Sequence, residues 1–130
     1  VVLKNHYTET AGLAFLVRKY GTQGIEVFGG LTLDTPVGGV NPQAVRYMVD
    51  VAGHFGRIVW MPTHDSEHEV TYNKEQRPFV KVSRDGQLLP EVLEVLSLIA
   101  QHEAWQQVLH EYKASPSYAP SSAVPLEAMA

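Results

Sequence analysis

Apolar and polar positions along this chain change period several times, and each change marks an element. Val1-Val2-Leu3 is a β-branched and aliphatic run that reads as a short buried strand, closed by the polar Lys4-Asn5-His6. Leu13, Leu16, Val17 and Tyr20 then recur at helical spacing. That spacing predicts a helix capped by Thr8 or Thr10, with this stripe against a sheet and Gly21 at its end. Gly24 to Gly29 predicts a second strand, apolar at Ile25, Val27 and Phe28 and interrupted by Glu26. A long loop is expected next, through Gly29, Gly30, Asp34, Pro36, Gly38 and Gly39. Asn41-Pro42 opens the second helix, Asn as cap and Pro in the first turn, with Val45, Met48, Ala52 and Phe55 as its stripe. Ile58 to Met61 predicts the third strand, stopped by Pro62.

The later half is less regular. Thr71 to Gln76 reads as exposed loop. Phe79-Val80-Lys81-Val82 alternates and predicts a fourth strand, with Asp85-Gly86 turning it into a hairpin with Gln87-Leu88. Leu89-Pro90 opens a third helix, whose expected buried face is Val92, Leu93, Leu96, Ile99 and Ala100, resuming at Trp105, Val108, Leu109 and Tyr112. From Ala114 onward Ala, Ser and Pro dominate, which predicts disorder. The expected organisation is one domain over 1–113 and a tail over 114–130. The order β-α-β-α-β-β-α predicts an α/β fold, with parallel strands joined by right-handed crossover helices. A small three-layer sandwich fits that order. So does part of a (β/α)₈ barrel, whose full length is roughly 250 residues.

Composition narrows the chemistry. Lys+Arg number 10 against Asp+Glu 14, a net charge of -4 that gives no electrostatic case for nucleic acid. Cysteine is absent, so disulfides and thiolate-held metals are excluded. No apolar run nears the roughly 20 residues of a membrane span, and the expected location is cytoplasmic. The chain opens at Val1 inside an apolar run with nothing before it to pair, which reads as an excerpt or an N-terminally truncated product.

Candidate functional residues cluster where strands end, the usual place for chemistry in parallel α/β folds. His6 follows the first strand, though a histidine there also serves as a simple loop or cap residue. Glu26 is a carboxylate inside an apolar strand, costly unless it is coordinated or paired, for instance with Lys4. His64, Asp65, Glu67 and His68 form the densest group, just after Pro62. Read as letters, His64 to His68 is H-x-x-E-H, the inverted zinc-peptidase pattern, which needs a helix to bring both histidines to one face. The glycine-rich loop from Thr35 to Asn41 precedes a helix start but lacks the G-K-[ST] of a P-loop.

Val1-Val2-Leu3-Lys4-Asn5-His6-Tyr7, Gly24-Ile25-Glu26-Val27-Phe28-Gly29-Gly30 and Val59-Trp60-Met61-Pro62-Thr63 resemble, in that order, a family of metal-dependent, amidohydrolase-like TIM barrels. The resemblance covers about Val1 to Ile99, and the wider group includes the PHP phosphoesterases. It implies strands 2–4 of a barrel of eight, a divalent metal (Zn, Mn or Fe), and a water attacking an amide or ester bond, phosphoesters included. It implies His6, Glu26 and either His64 or His68 as metal ligands, Asp65 as a base or an orienting carboxylate, and Lys4 as a nearby cation or carbamylated bridge. It implies a small-molecule substrate. The family's first-strand H-x-H motif and its C-terminal half have no counterpart in this sequence. The alternatives are a non-catalytic α/β domain that forms homo-oligomers through exposed sheet edges, and a zinc peptidase built on His64-x-x-Glu67-His68.

Overall fold

The computed structural model describes residues 1–21 and 23–102. Within them the chain is mixed α/β, with a small parallel sheet and four helices. The α-helices are α1 (Ala11–Tyr20), α2 (Pro42–Asp50), α3 (Glu67–Tyr72) and α4 (Pro90–Gln101). Strand β1 (Gly29–Thr32) pairs in parallel with β2 (Gly56–Trp60), Leu31 opposite Val59 and Thr32 opposite Trp60. Residues 1–3 extend the sheet on the far side of β1. Val2 bridges Phe28 in parallel, Phe28 N donates to Val1 O at 2.8 Å, and Leu3 N donates to Phe28 O at 2.8 Å. Three extended segments therefore lie side by side in chain order and point the same way.

The second strand starts later than the apolar pattern implies. Gly29, expected where the strand gives way to a loop, and Gly30, expected in that loop, are buried strand residues. A β-carbon on Gly29 would stand 2.3 Å from the main chain of Thr10, and one on Gly30 would stand 2.4 Å from the Trp60 ring. Glycine is thus the residue that lets α1 and Trp60 close onto this strand. The start of α1 is stitched down as well. Thr10 N donates to Gly30 O at 2.9 Å, while Thr10 Oγ1 donates to Leu3 O at 2.7 Å and accepts from Gly30 N at 2.8 Å. The Thr10 hydroxyl is spent between strands instead of capping its own helix.

The same close approach reverses the expected face of α1. Its buried residues are Ala11 and Ala14, while Leu13, Leu16 and Tyr20 are 52%, 51% and 73% exposed. Small side chains face the glycine strand because nothing larger fits there. The core lies on the helix side of the sheet: Ala11, Leu31, Leu33, Val45, Met48, Val59, Val95, Leu98 and Ile99. Burying each of the larger aliphatics contributes on the order of 2 kcal/mol. α2 begins as its sequence predicts, Asn41 Oδ1 accepting from Gln43 N and Ala44 N. α4 buries Val92, Val95, Leu98 and Ile99, while Leu93 is 47% exposed.

Phe79 to Val82 forms no strand of its own; Val80 alone bridges Ser66. The hairpin falls one step later, as β3 (Ser83–Arg84) and β4 (Gln87–Leu88). Asp85 and Gly86, at φ 51° and 77°, make its two-residue turn. No helix among the described residues is long and apolar enough to cross a membrane. The expected tail over 114–130 and the stripe from Trp105 to Tyr112 lie outside the described residues.

Candidate functional site

Three chain segments leave the C-terminal ends of the parallel strands side by side, and their polar residues meet there. Residues 4–6 follow the first extended segment. Leu33-Asp34 follows β1, with Leu33 N donating to Trp60 O at 3.0 Å. Pro62 ends β2 and turns the chain into Thr63-His64-Asp65-Ser66, where Ser66 accepts from Glu69 N and caps α3.

Asp34 is the hub of this cluster. Its side chain is 1% exposed. Oδ2 accepts from His6 Nδ1 at 2.7 Å, and Oδ1 accepts from Thr63 N at 3.0 Å and Asp65 N at 3.3 Å. A buried carboxylate is tolerable because donors occupy both oxygens. Its main-chain carbonyl accepts from Val37 N at 3.2 Å and Gly39 N at 3.0 Å, closing the 3-10 turn Thr35–Val37 around it. Gly38 and Gly39, at φ 91° and 70°, allow that closure. Asp34 therefore ties the tip of β1 to the tip of β2 and holds the ring that follows the first segment.

A carboxylate accepts and does not donate, so Asp34 fixes the proton of His6 on Nδ1 and leaves Nε2 as the basic nitrogen. Thr63 Oγ1 lies 3.3 Å from the same Nδ1. The His6 side chain is 38% exposed, so the ring is anchored at one nitrogen while part of it remains open to solvent. His64 stands edge-on to it, ring centroids 5.9 Å apart.

Asp65 is directed elsewhere. One oxygen accepts from Thr35 N at 3.0 Å and the other pairs with Arg77. Arg77 Nη2 also donates to His64 O at 2.8 Å, and its Nε pairs with Glu75. Burial pushes the Asp65 carboxyl up, but the hydrogen bonds from Thr35 and Arg77 outweigh it and hold the group below the usual carboxylate range. Asp65 thus anchors the Arg77 segment, and the orienting role expected of it falls to Asp34. Lys4 Nζ lies 5.5 Å from the centroid of the Trp60 ring, at cation–π distance.

Two of the four candidate ligands, His6 and His64, come together. Glu26 does not join them. It precedes β1 at the opposite end of the sheet, its side chain 76% exposed and 3.6 Å from Arg18. The late start of the strand is the cause: the carboxylate sits before the sheet and is not embedded in it. His68 lies on α3 and stacks on Tyr72, centroids 6.0 Å apart. Because α3 begins only at Glu67, His64 sits in the turn before it, and the H-x-x-E-H pattern does not lie on one helix. Among the described residues, no three His, Asp or Glu side chains are grouped to hold a metal ion. Two imidazoles are one fewer than the three protein ligands usual for catalytic zinc.

Asp34 is not among the candidate residues that the sequence singles out. Its signal was an aspartate directly after the apolar Leu31-Thr32-Leu33, masked by the assignment of Gly29 to Gly39 to one loop. In comparisons with known proteins, no curated protein and no solved structure matches the chain. One family does match, over residues 1–114, and the chain belongs to it: the family of unknown function DUF6282.

Proposed function

We propose that the cluster at the strand tips is a hydrolase site acting on an amide or ester bond, phosphoesters included, in a small-molecule substrate. The observation that carries this reading is the Asp34–His6 pair, with Nε2 as the basic nitrogen of a partly exposed ring. In this role Nε2 takes a proton from the attacking water as its oxygen bonds to the scissile centre, and returns it to the leaving group as the old bond breaks. Asp34 keeps the ring in the required tautomer and orientation, as carboxylates do for catalytic histidines. The ordered strand tips, the resemblance to amidohydrolase-like barrels and the expected cytoplasmic location belong to the same reading, with residues 1–3, β1 and β2 as three neighbouring barrel strands.

The metal-dependent form of the proposal rests on the 5.9 Å approach of His6 and His64. A carboxylate bonded to the far nitrogen of a histidine is the usual support of a metal ligand. Zinc, manganese or iron held there would supply an activated water, and it would need a donor beyond those the described residues bring together.

The test is hydrolysis of activated esters, anilides and phosphoesters by the purified chain and by His6→Ala, with bound metal measured by elemental analysis. The proposal expects activity that His6→Ala removes and Glu26→Ala leaves intact. Equal rates in wild type and His6→Ala would sink it. Metal lost from both His6→Ala and His64→Ala would favour the metal-dependent form.

A non-catalytic, self-associating domain is the second reading. Residues 1–3, whose outer edge pairs with no strand among the described residues, and the exposed Leu13, Leu16 and Tyr20 of α1 favour it, because sheet edges and apolar helix faces seek partners.

A further inference from the structure

The Asp34 carboxylate holds more than the His6 ring. Its Oδ1 accepts from Thr63 N at 3.0 Å and from Asp65 N at 3.3 Å, the amides on either side of His64. The His64 carbonyl in turn accepts from Arg77 Nη2 at 2.8 Å. The main chain of His64 is therefore fixed before it, after it and at its own oxygen, and two of those three bonds end on the buried group that anchors His6. The two rings are treated differently. His6 is bound at Nδ1. The exposed His64 ring hydrogen-bonds to none of the described residues and stands edge-on to His6, 5.9 Å between centroids. A rigid main chain thus presents an imidazole N–H beside the basic ring.

The hydrolase reading leaves one charge unanswered. As water adds to the scissile centre, negative charge grows on the oxygen of that centre, and stabilising it is usually the largest single contribution to such catalysis. Asp34 and Asp65 offer acceptors only. Thr63 Oγ1 lies at Nδ1, the anchored nitrogen of His6, and not at Nε2. Arg77 is engaged with Asp65, Glu75 and the His64 carbonyl. His64 is the donor whose side chain meets the basic ring.

We infer that His64 is a second catalytic residue of this site, its ring N–H donating to the oxygen of the scissile group while His6 Nε2 draws the proton from water. The inference rests on the hydrolase reading in its metal-free form. For an ester or amide, the water oxygen bonds to the carbonyl carbon, the π pair moves onto the oxygen held by His64, and the water proton passes to Nε2. The pair then returns, the bond to the leaving group breaks, and the leaving group takes the proton from Nε2. His64 itself neither gains nor loses a proton. An imidazole keeps at least one N–H whether neutral or protonated, so the role does not depend on its charge. Because the main chain is already fixed, the donor pays little reorganisation when the charge appears.

The experiment compares His64→Ala with His64→Gln in the full chain, using whichever ester, anilide or phosphoester the wild type hydrolyses. Glutamine keeps an N–H donor but cannot transfer a proton. His64→Ala should lose about 10²–10³-fold in kcat with KM nearly unchanged, the usual cost of removing one such donor. His64→Gln should recover most of that loss. Phenylphosphonate, a stable tetrahedral anion, should bind wild type and His64→Gln alike, shift the His64 ring resonances and bind His64→Ala more weakly. Wild-type rates in His64→Ala, with His6→Ala inactive, would overturn the inference and leave the hydrolase reading standing. Equal losses in His64→Gln and His64→Ala would overturn it too, because a proton donor or metal ligand is then what His64 supplies. A wild type that hydrolyses none of these substrates would overturn both.

Discussion

Asp34 Oδ2 and His6 Nδ1 lie 2.7 Å apart across 28 residues of sequence, and that contact decides which imidazole nitrogen stays basic. Asp34→Asn tests it. The amide can still accept from Thr63 N and Asp65 N, but its NH₂ would then face Nδ1 and drive the His6 proton to Nε2. ¹⁵N chemical shifts of the imidazole should report the switched tautomer while the fold persists. Any hydrolysis should fall by about 10²–10⁴-fold, the usual range for losing acid–base catalysis. Asp34→Ala should instead unfold the strand tips, costing on the order of 2–4 kcal/mol in denaturant melts, because buried N–H groups lose their acceptor.

Gly30→Ala predicts a loss of stability with no change of chemistry. The added methyl would meet Trp60 at 2.4 Å and Ile58 O at 2.5 Å, and neither a buried indole nor a strand carbonyl can step aside. Overpacking of this kind costs about 1–3 kcal/mol or more, read as a lower urea midpoint at an unchanged m-value.

The pH dependence of stability should show Asp65. Its carboxyl titrates below the ordinary 3.8 in the folded chain, so the unfolded chain binds the proton first. Its contribution is therefore complete above about pH 4 and disappears as pH falls through the lower folded value. Asp65→Asn should remove that acid-side slope. Thermal melts between neutral pH and pH 3 that superimpose after subtracting a constant would contradict the assignment.

Self-association should respond to α1. Leu16→Lys changes a half-exposed position outside the core and should leave the melting temperature nearly unchanged. If this face and the neighbouring edge pair with another copy, sedimentation should show wild type heavier than the variant at equal concentration. Identical sedimentation would leave the face as ordinary exposed surface.

What the sequence shows of this fold divides by physical cause. The cap at Asn41, the Asp85-Gly86 turn and the parallel βαβ order are local signals, each legible residue by residue, whereas α3 and its Ser66 cap fall where the sequence reads as polar loop. The misplacement of β1 has a tertiary origin. Gly29 and Gly30 look like loop residues until Thr10 and Trp60 are seen pressing on them. That one shift sends Glu26 out of the site, brings Asp34 into it, and turns the alanines of α1 inward. His6, His64 and Asp65 stand out in the sequence because they come soon after apolar strand-like runs. The 2.7 Å contact between residues 6 and 34 has no local signature at all.

The paired glycines of β1 carry a lesson for mutational scanning. At these positions side chains larger than alanine would unfold the chain, giving a tolerance profile that a reader of scan data would take for catalysis. Yet neither residue has a side chain with which to do chemistry. The two profiles part in the soluble fraction: a His6 variant would stay folded in the supernatant, whereas a glycine replaced by a large side chain would go to the pellet.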